Sequence, residues 1–223
     1  MGRGEAGSAN ATTDGRAYVV VSPRSGRRDQ FAELLDRGDG TLPAAIQAAA
    51  DAVPVQPEPP RISTATRYYR DQGSEQYRTD GTDEGPDLIV VDLHQEVGVR
   101  VMQGGVTGDR AEGRLIGTSQ IRYIVEQVLH LAAGLGTKVG YYGAWDVGIH
   151  VTHAPDGQDS QLTIRGGVRH AAWTREHYEN VITVTSEELV EHRGDVAYRL
   201  LHPLARVLRV EGRLAAELGI DVP

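Results

Sequence analysis

The sequence predicts an α+β fold in which an antiparallel sheet packs against two or three amphipathic helices. Residues 139–153 alternate between two faces over their whole length, which is typical of a long β-strand. Residues 121–135 repeat apolar side chains at helical spacing, which indicates a helix with one buried face. Neighbouring strands in the second half of the chain follow each other like hairpins, so we expect them to run antiparallel.

The chain begins with a polar segment that leads into one strand and two helices. Residues 1–15 are small and polar, and we interpret them as a disordered tail before a single domain of residues 16–223. The apolar run 17–22 predicts a buried strand. Residues 27–37 carry apolar side chains at helical spacing, and the alanine-rich residues 43–53 predict a second helix.

The middle of the chain predicts a hairpin of two strands. Four prolines in residues 54–60 exclude regular structure there. Residues 61–69 predict a strand, and residues 71–86 predict a loop. The apolar run 88–93 and the alternating residues 97–101 lie close together, so we expect an antiparallel pair joined by a tight turn.

A glycine-rich and charged stretch, residues 104–117, separates this hairpin from the strongest predicted helix. We interpret the stretch as a linker or surface loop, where a subdomain boundary could fall. Thr118 or Ser119 can cap the start of the helix 121–135, and a glycine close to residue 135 can end it.

The long strand 139–153 carries the predicted binding surface. Its odd positions are apolar, and we expect them to pack against the helix 121–135. Its even positions include small residues, and we expect that face to admit a ligand or the backbone of a partner. The residues expected to line this face are Gly140, Tyr142, Ala144 and Gly148.

Strands and helices also alternate near the C-terminus. Residues 160–165 and 179–185 predict two further strands. The sequence Thr185-Ser-Glu-Glu188 is a capping box, which predicts a helix beginning at its serine. Residues 195–209 predict an amphipathic helix that is kinked or broken near Pro203.

The composition argues against several classes of function. The chain has 223 residues, with 31 acidic and 23 Lys or Arg side chains and a formal net charge of -8, which argues against direct binding to nucleic acid. It has no cysteine, which excludes disulfides, thiolate zinc sites and cysteine catalysis. No apolar run is long enough to cross a membrane and no signal peptide is recognisable, so we expect a cytoplasmic protein.

Three side chains are candidates for acid–base or metal-assisted chemistry, namely His94, Asp146 and His150. Asp146 and His150 share a face of the predicted strand, but about 13 Å separates them along it. His150 and His153 point to opposite faces and cannot share a metal unless the strand bulges, so we predict no metal site.

Two familiar motifs are incomplete. Asp92 ends an apolar strand, like the phosphate-accepting aspartate of a response-regulator receiver, but the acids expected after the first strand are missing. Residues 134–140 are glycine-rich but join a helix to a strand, the reverse of the order that a phosphate-binding loop requires. The aromatic and basic side chains of Tyr68, Tyr69 and Arg70 are the candidate surface for stacking of nucleic-acid bases.

Four segments together resemble a known group of proteins. They are residues 17–23, 91–94, 143–152 and 184–206. In order and spacing, they resemble the C-terminal region of actinobacterial proteins that carry a Schlafen-type Alba DNA-binding module at their N-terminus and are described as ATP-binding or regulatory. The resemblance implies that this chain is the accessory half of such a system, without the N-terminal module. It assigns no functional residue.

The sequence as a whole predicts a non-enzymatic interaction or sensing domain that binds a protein partner or a small ligand. We expect a protein partner or a homo-oligomer. The alternative is a metal-assisted hydrolase with a histidine and aspartate site on the strand 139–153. The sequence names no cofactor and no particular ligand.

Overall fold

The computed structural model describes residues 15–24, 35, 40–53, 61–71, 74–79, 88–94, 98–110, 113–154, 157–159 and 172–221. Within these ranges the strands are β1 (Gly15–Pro23), β2 (Ala65–Asp71), β3 (Ser74–Thr79), β4 (Ile89–His94), β5 (Gly98–Arg110), β6 (Gly113–Ile116), β7 (Ala144–Val151), β8 (Gln158–Asp159) and β9 (Tyr178–Thr185). The α-helices of the same ranges are α1 (Thr41–Asp51), α2 (Thr118–Val139), α3 (Ser186–Glu191), α4 (Arg193–Leu208) and α5 (Glu211–Glu217). A 3₁₀ turn, Ile62–Thr64, precedes β2.

The strands form one sheet, which confirms the predicted α+β fold with an antiparallel sheet. Its order is β2-β3-β4-β5-β1-β7-β9, and all neighbours in this order run antiparallel. β6 pairs antiparallel with the far end of β5 and parallel with β8. β1 therefore lies inside the sheet, whereas β2 and β9 form the two ends of this order.

The sheet has a core face and an open face. On the core face, side chains such as Val19, Val101 and Val147 are fully buried. Helices α2 and α4 pack against this face, through contacts of α2 with β1 and β5 and of α4 with β7 and β9, while α1 packs against α2 and α5 packs against α4. The alternate side chains of the same strands point to the opposite face, which we call the open face, and most are exposed or only partly buried. None of the described helices is long and apolar enough to span a lipid bilayer.

The central helix is longer than the sequence indicates. α2 continues to Val139 and ends at Gly140, whose φ of 66° lies in the left-handed region. The predicted end near residue 135 is wrong because the apolar stripe continues to Val139, which packs against the core. The predicted cap is also wrong, since Gly117 occupies the N-cap position and no side chain caps it. β7 consequently begins only at Ala144.

Two stretches predicted as loops contribute strands to the sheet. β5 runs through the first half of the stretch 104–117 and pairs first with β4 and then with β6. A register shift against β1 accompanies this change of partner, and Gly105 has a φ of 66° at this point. Residues 74–79 of the other predicted loop form β3. Both stretches are polar or glycine-rich, so no apolar alternation reveals their strands.

Several other predictions are confirmed. The helix predicted at 43–53 is α1, and the capping box of Thr185 and Glu188 begins α3. Trp145 and Ile149 of β7 are buried on the core face, as predicted for the odd positions. Three other predictions lie outside the described residues. They are the tail 1–15 except Gly15, the helix 27–37 except Leu35, and the strand 160–165.

Side chains of β9 donate hydrogen bonds to α4 where a proline leaves one helix carbonyl without its usual donor. The helix runs unbroken through Pro203, which has no N–H to donate to the carbonyl of Arg199. Asn180 Nδ2 donates to the carbonyls of Arg199 and Leu200, at 3.3 and 2.9 Å. The Tyr178 hydroxyl also donates to the Leu200 carbonyl. β9 therefore stabilises the helix at its weakest point.

We expect Asn180→Ala to lower the free energy of unfolding by about 1–2 kcal/mol, because two carbonyls of α4 lose a donor. Pro203→Ala restores a backbone N–H for Arg199, so the Asn180 substitution should cost less in that background. Urea unfolding of the four proteins of this double-mutant cycle measures the difference. An equal cost in both backgrounds would show that Asn180 acts independently of the proline.

Candidate functional site

The open face carries a cleft at the end formed by β2, β3, β4 and β5. Its volume is about 320 Å³. The residues that line it are Tyr69, Ser74, Glu75, Gln76, Asp92, Leu93, His94, Gly98 and Arg100. Two residues singled out from the sequence for different reasons, His94 and Tyr69, therefore share one cavity.

The strand register places the polar side chains of the cleft in one row. Gln76 of β3 is opposite Asp92 of β4, which is opposite Arg100 of β5. Tyr69 of β2 is opposite Gln76 because the register of β2 shifts between Arg67 and Tyr69. In a regular strand Tyr69 would lie on the same face as Arg67, which is the core face. The register shift turns Tyr69 to the open face, where it joins the row of Gln76, Asp92 and Arg100.

A hydrogen-bonded network fixes the centre of the cleft. Arg100 donates from Nε and Nη2 to Oδ2 of Asp92, at 2.8 and 2.6 Å. Gln76 Nε2 donates to Oδ1 of the same carboxylate at 2.6 Å. Hydrogen bonds between ionised groups are short and directional, so they orient the guanidinium of Arg100. The side chain of Arg100 remains 56% exposed, which leaves it accessible to a bound molecule.

A buried carboxylate supports the cleft from the core side. Glu75 is 1% exposed, and the Tyr77 hydroxyl donates to its Oε2 at 2.7 Å. Arg67 Nη2 lies 3.7 Å from the same oxygen. Burial raises the pKa of Tyr77 to about 12, and the hydrogen bond to Glu75 adds to the rise. The phenol therefore stays protonated and keeps donating to Glu75 on the same strand. The contact of Arg67 with this carboxylate is what links β2 to β3.

The three catalytic candidates lie on the open face but not together. His94 lines the cleft, and the register places Asp146 in the same row three strands away, a separation of about 14 Å. Asp146 accepts a hydrogen bond from Thr183 Oγ1 at 2.7 Å, and Arg24 Nε is 3.8 Å from its Oδ2. About 13 Å along β7 separates Asp146 from His150. The structure therefore joins no two of the three candidates.

His150 belongs to a group of rings on another part of the open face. Its ring centroid is 5.1 Å from that of His177 and 6.2 Å from that of Tyr18. Its Nδ1 is 3.6 Å from Oε2 of Glu179. His153 lies beyond the end of β7, with a φ of 53°. Among the residues that the structure describes, no three His, Asp or Glu side chains are grouped so that they could hold a metal ion.

The residues of the predicted ligand face are found in two places. Ala144 and Gly148 lie on the open face, where a Cβ added to Gly148 would meet Val181 at an ordinary contact distance of 3.5 Å. Gly140 and Tyr142 precede β7, so their assignment to the same strand face is wrong. Tyr142 is 81% exposed and lines a separate cleft of about 420 Å³ beside α3.

The candidate nucleic-acid surface is described only in part. The Tyr69 ring lies in the cleft, whereas the side chains of Tyr68 and Arg70 are outside the described part of the chain. The sequence analysis missed the pairing of Asp92 with Arg100. The observed hairpin is centred on position 96, which places Arg100 opposite Asp92, whereas the predicted strands 88–93 and 97–101 are centred on position 95 and would place Gly98 there.

The cleft thus combines an oriented cation, an exposed aromatic ring and an imidazole in one concave surface. Convergent polar groups in a cavity are typical of small-molecule sites.

Comparisons of this chain with protein-family models, with curated proteins and with solved structures find no match.

Proposed function

We propose that this chain is a non-enzymatic sensing domain that binds a small polar ligand in the open-face cleft. The observation that carries the proposal is the oriented guanidinium of Arg100, exposed in the same cavity as the rings of Tyr69 and His94. The volume of about 320 Å³ is at the lower end of the range for small-molecule sites.

The lining favours a planar ligand that carries hydrogen-bond acceptors. The exposed ring of Tyr69 offers a surface on which a flat ring can stack. Arg100 offers N–H donors whose direction is already fixed. Because Asp92 already accepts hydrogen bonds from Arg100 and Gln76, we assign it a positioning role and not a catalytic one.

The proposal includes a role in regulation. The resemblance to proteins that combine such a region with a DNA-binding module favours a place beside a module of this kind. A sensing domain passes on its signal through contacts with other protein surfaces. We therefore propose that this chain is the accessory half of a regulatory DNA-binding system, and its net charge of -8 favours contact with a protein over contact with a phosphate backbone.

Native mass spectrometry of the untagged protein, purified from its own host, tests the ligand. We expect the wild type to carry an additional mass of roughly a few hundred daltons, the size of molecule that such a cleft encloses. Arg100→Leu should lose this mass because it removes the donors. It should keep the unfolding curve within about 1 kcal/mol of wild type, because an exposed ion pair contributes little to stability.

Arg114→Leu is the matched control. Arg114 makes the same kind of two-bond pair, with Asp109 across β5 and β6, at 2.8 and 3.0 Å and outside the cleft. This variant should keep the bound mass. A wild type without any bound small molecule, or an Arg100→Leu protein that still carries it, would contradict the proposed site.

A further inference from the structure

β9 is the last strand at one end of the sheet order, so one side of its backbone has no neighbouring strand among the described residues. In an antiparallel pair, every second residue exchanges hydrogen bonds with the opposite strand, and the residues between direct their N–H and C=O groups away. The Ser186 N–H donates to the Gly143 carbonyl at 3.2 Å, which sets this alternation for β7 and β9. The residues of β9 whose backbone points away from the sheet are therefore Glu179, Val181, Thr183 and Thr185.

Hydrogen bonds on the other side of β7 give the same alternation. The N–H of Arg24 donates to the Ala144 carbonyl, and the N–H of Thr152 donates to the Arg16 carbonyl, each at 2.9 Å. Even-numbered residues of β7 therefore bond to β1, and odd-numbered residues bond to β9. Both sides of β7 thus support the same assignment of the outward groups of β9.

Among the described residues, three of the four outward residues find no partner for their backbone groups. The Thr185 N–H donates to Oε2 of Glu188 at 2.7 Å, within the capping box of α3. Within the described part of the chain, no hydrogen bond is found for the outward backbone groups of Glu179, Val181 and Thr183. The open edge is therefore a short segment centred on Val181.

This edge has few of the features that usually prevent strand pairing, since Glu179 is the one charged residue among its three open positions. Residues 181–185 contain no charge and no proline, and all five have β-branched side chains. Val181 is 69% exposed, although its side chain is apolar. An unprotected edge of this kind is a surface to which another strand can add.

We infer that β9 pairs antiparallel with β9 of a second copy of this chain, with the two-fold axis at Val181. In this register Val181 is opposite Val181 of the partner subunit, and Glu179 is opposite Thr183 of the partner subunit. All three open residues of each strand then pair, which gives about six new backbone hydrogen bonds. No two like charges face each other, because each Glu179 meets a threonine.

Neighbouring registers fit less well, and this favours the Val181 axis. An axis at Ile182 places Glu179 opposite Thr185, whose N–H is already bound to Glu188. An axis at Asn180 leaves Thr183 opposite a residue before the start of β9. The segment is complementary to its own reversed copy, which is the property that a two-fold strand pair requires.

The pairing would join two sheets into one and place their open faces side by side. Val20 of β1, Gly148 of β7 and Val181 of β9 lie in one row of the open face. Across the two-fold axis this apolar row would meet the same row of the partner subunit. β9 lies at the opposite end of the sheet order from β2 and the proposed ligand cleft, so the inference does not depend on the ligand.

Single-cysteine variants test the register, because the natural chain contains no cysteine. Residues opposite each other in such a pair have Cα atoms about 5.5 Å apart, which is within the range of a disulfide. We expect Val181→Cys to form a covalent dimer under mild oxidation. Thr183→Cys is the matched control, since its two copies would lie four residues apart, about 13 Å, and should stay unlinked.

Sedimentation velocity of the cysteine-free protein tests the dimer itself. We expect the wild type to have twice the mass of the 24.1 kDa chain. Val181→Lys places two lysines opposite each other and should weaken the dimer roughly 100-fold or more. Val207→Lys, which changes another exposed valine on α4, should leave it dimeric.

A wild type that is monomeric at the highest concentration it reaches would overturn the inference. So would a Val181→Lys protein that remains dimeric, or a covalent dimer of Thr183→Cys in place of one of Val181→Cys. The two proposals can also be separated. If the wild type is monomeric but Arg100→Leu still loses the bound small molecule, the dimer is overturned and the ligand cleft is supported.

Discussion

Replacing Arg122 with alanine is expected to lower the free energy of unfolding by about 2–4 kcal/mol, because it leaves the partly buried Glu126 without its cation and Glu217 with only the longer contact to Arg213. Arg122 is 7% exposed on α2. Its Nη1 contacts Glu126 on the same helix, and its Nε lies 2.9 Å from Oε2 of Glu217 on α5. Burial raises the pKa of Glu126, and the charge of Arg122 opposes this rise. Chemical denaturation at neutral pH measures the loss.

The pH dependence of the variant identifies the cause. Without Arg122, none of the described residues opposes the raised pKa of Glu126 in the folded state, so the folded protein binds protons more readily than the unfolded chain. Stability should therefore be regained as the pH falls towards about 4. Arg199→Ala removes a more exposed pair with Glu188 and should cost less than about 1 kcal/mol. An Arg122→Ala loss that does not change with pH would mean that packing, and not charge, is what Arg122 provides.

Two glycines of α2 are expected to respond to alanine with opposite signs. A Cβ on Gly136 would lie 2.7 Å from Cζ2 of Trp145, which is too close for two carbon atoms. Trp145 cannot easily move, because it is 1% exposed and its Nε1 donates to Ser186 Oγ at 2.9 Å. We expect Gly136→Ala to destabilise the protein by about 1–3 kcal/mol.

Gly134 is the matched control, two residues earlier in the same helix. No atom of the described residues lies within 4 Å of a Cβ added there. Alanine has the higher helix propensity, so Gly134→Ala should stabilise the protein by about 0.5–1 kcal/mol. Urea unfolding of both variants measures the two values. A Gly136→Ala protein that is also stabilised would show that helix propensity outweighs the contact with Trp145.

Elements with a local signal could be predicted from the sequence. The capping box of Thr185 and Glu188 satisfies its hydrogen bonds within one turn, so four residues suffice to recognise it. The buried odd positions of β7 follow from the alternation that starts at Trp145. In both cases the residues that carry the pattern are the residues that make the contacts.

Elements that depend on distant residues could not be predicted. The second half of β5 is glycine-rich, and its position as a strand follows from pairing with β1 and β6. The side of the sheet on which Tyr69 lies depends on a register shift that no local pattern reveals. The cleft is assembled from four strands. The sequence of each strand reveals residues that could line a site, but it does not reveal that these residues lie close together.

The hydrogen bonds from β9 to the helix carbonyls near Pro203 join α4 and β9 into one cooperative unit. The helix obtains part of its hydrogen bonding from Asn180 and Tyr178, so it cannot keep its full stability when the strand detaches. A strand at the edge of a sheet is ordinarily among the first parts to fray, but here fraying would also unwind a helix on the core face. If another strand pairs with the edge of β9, fraying of β9 becomes rarer. Hydrogen exchange of the α4 amides should therefore become slower as well.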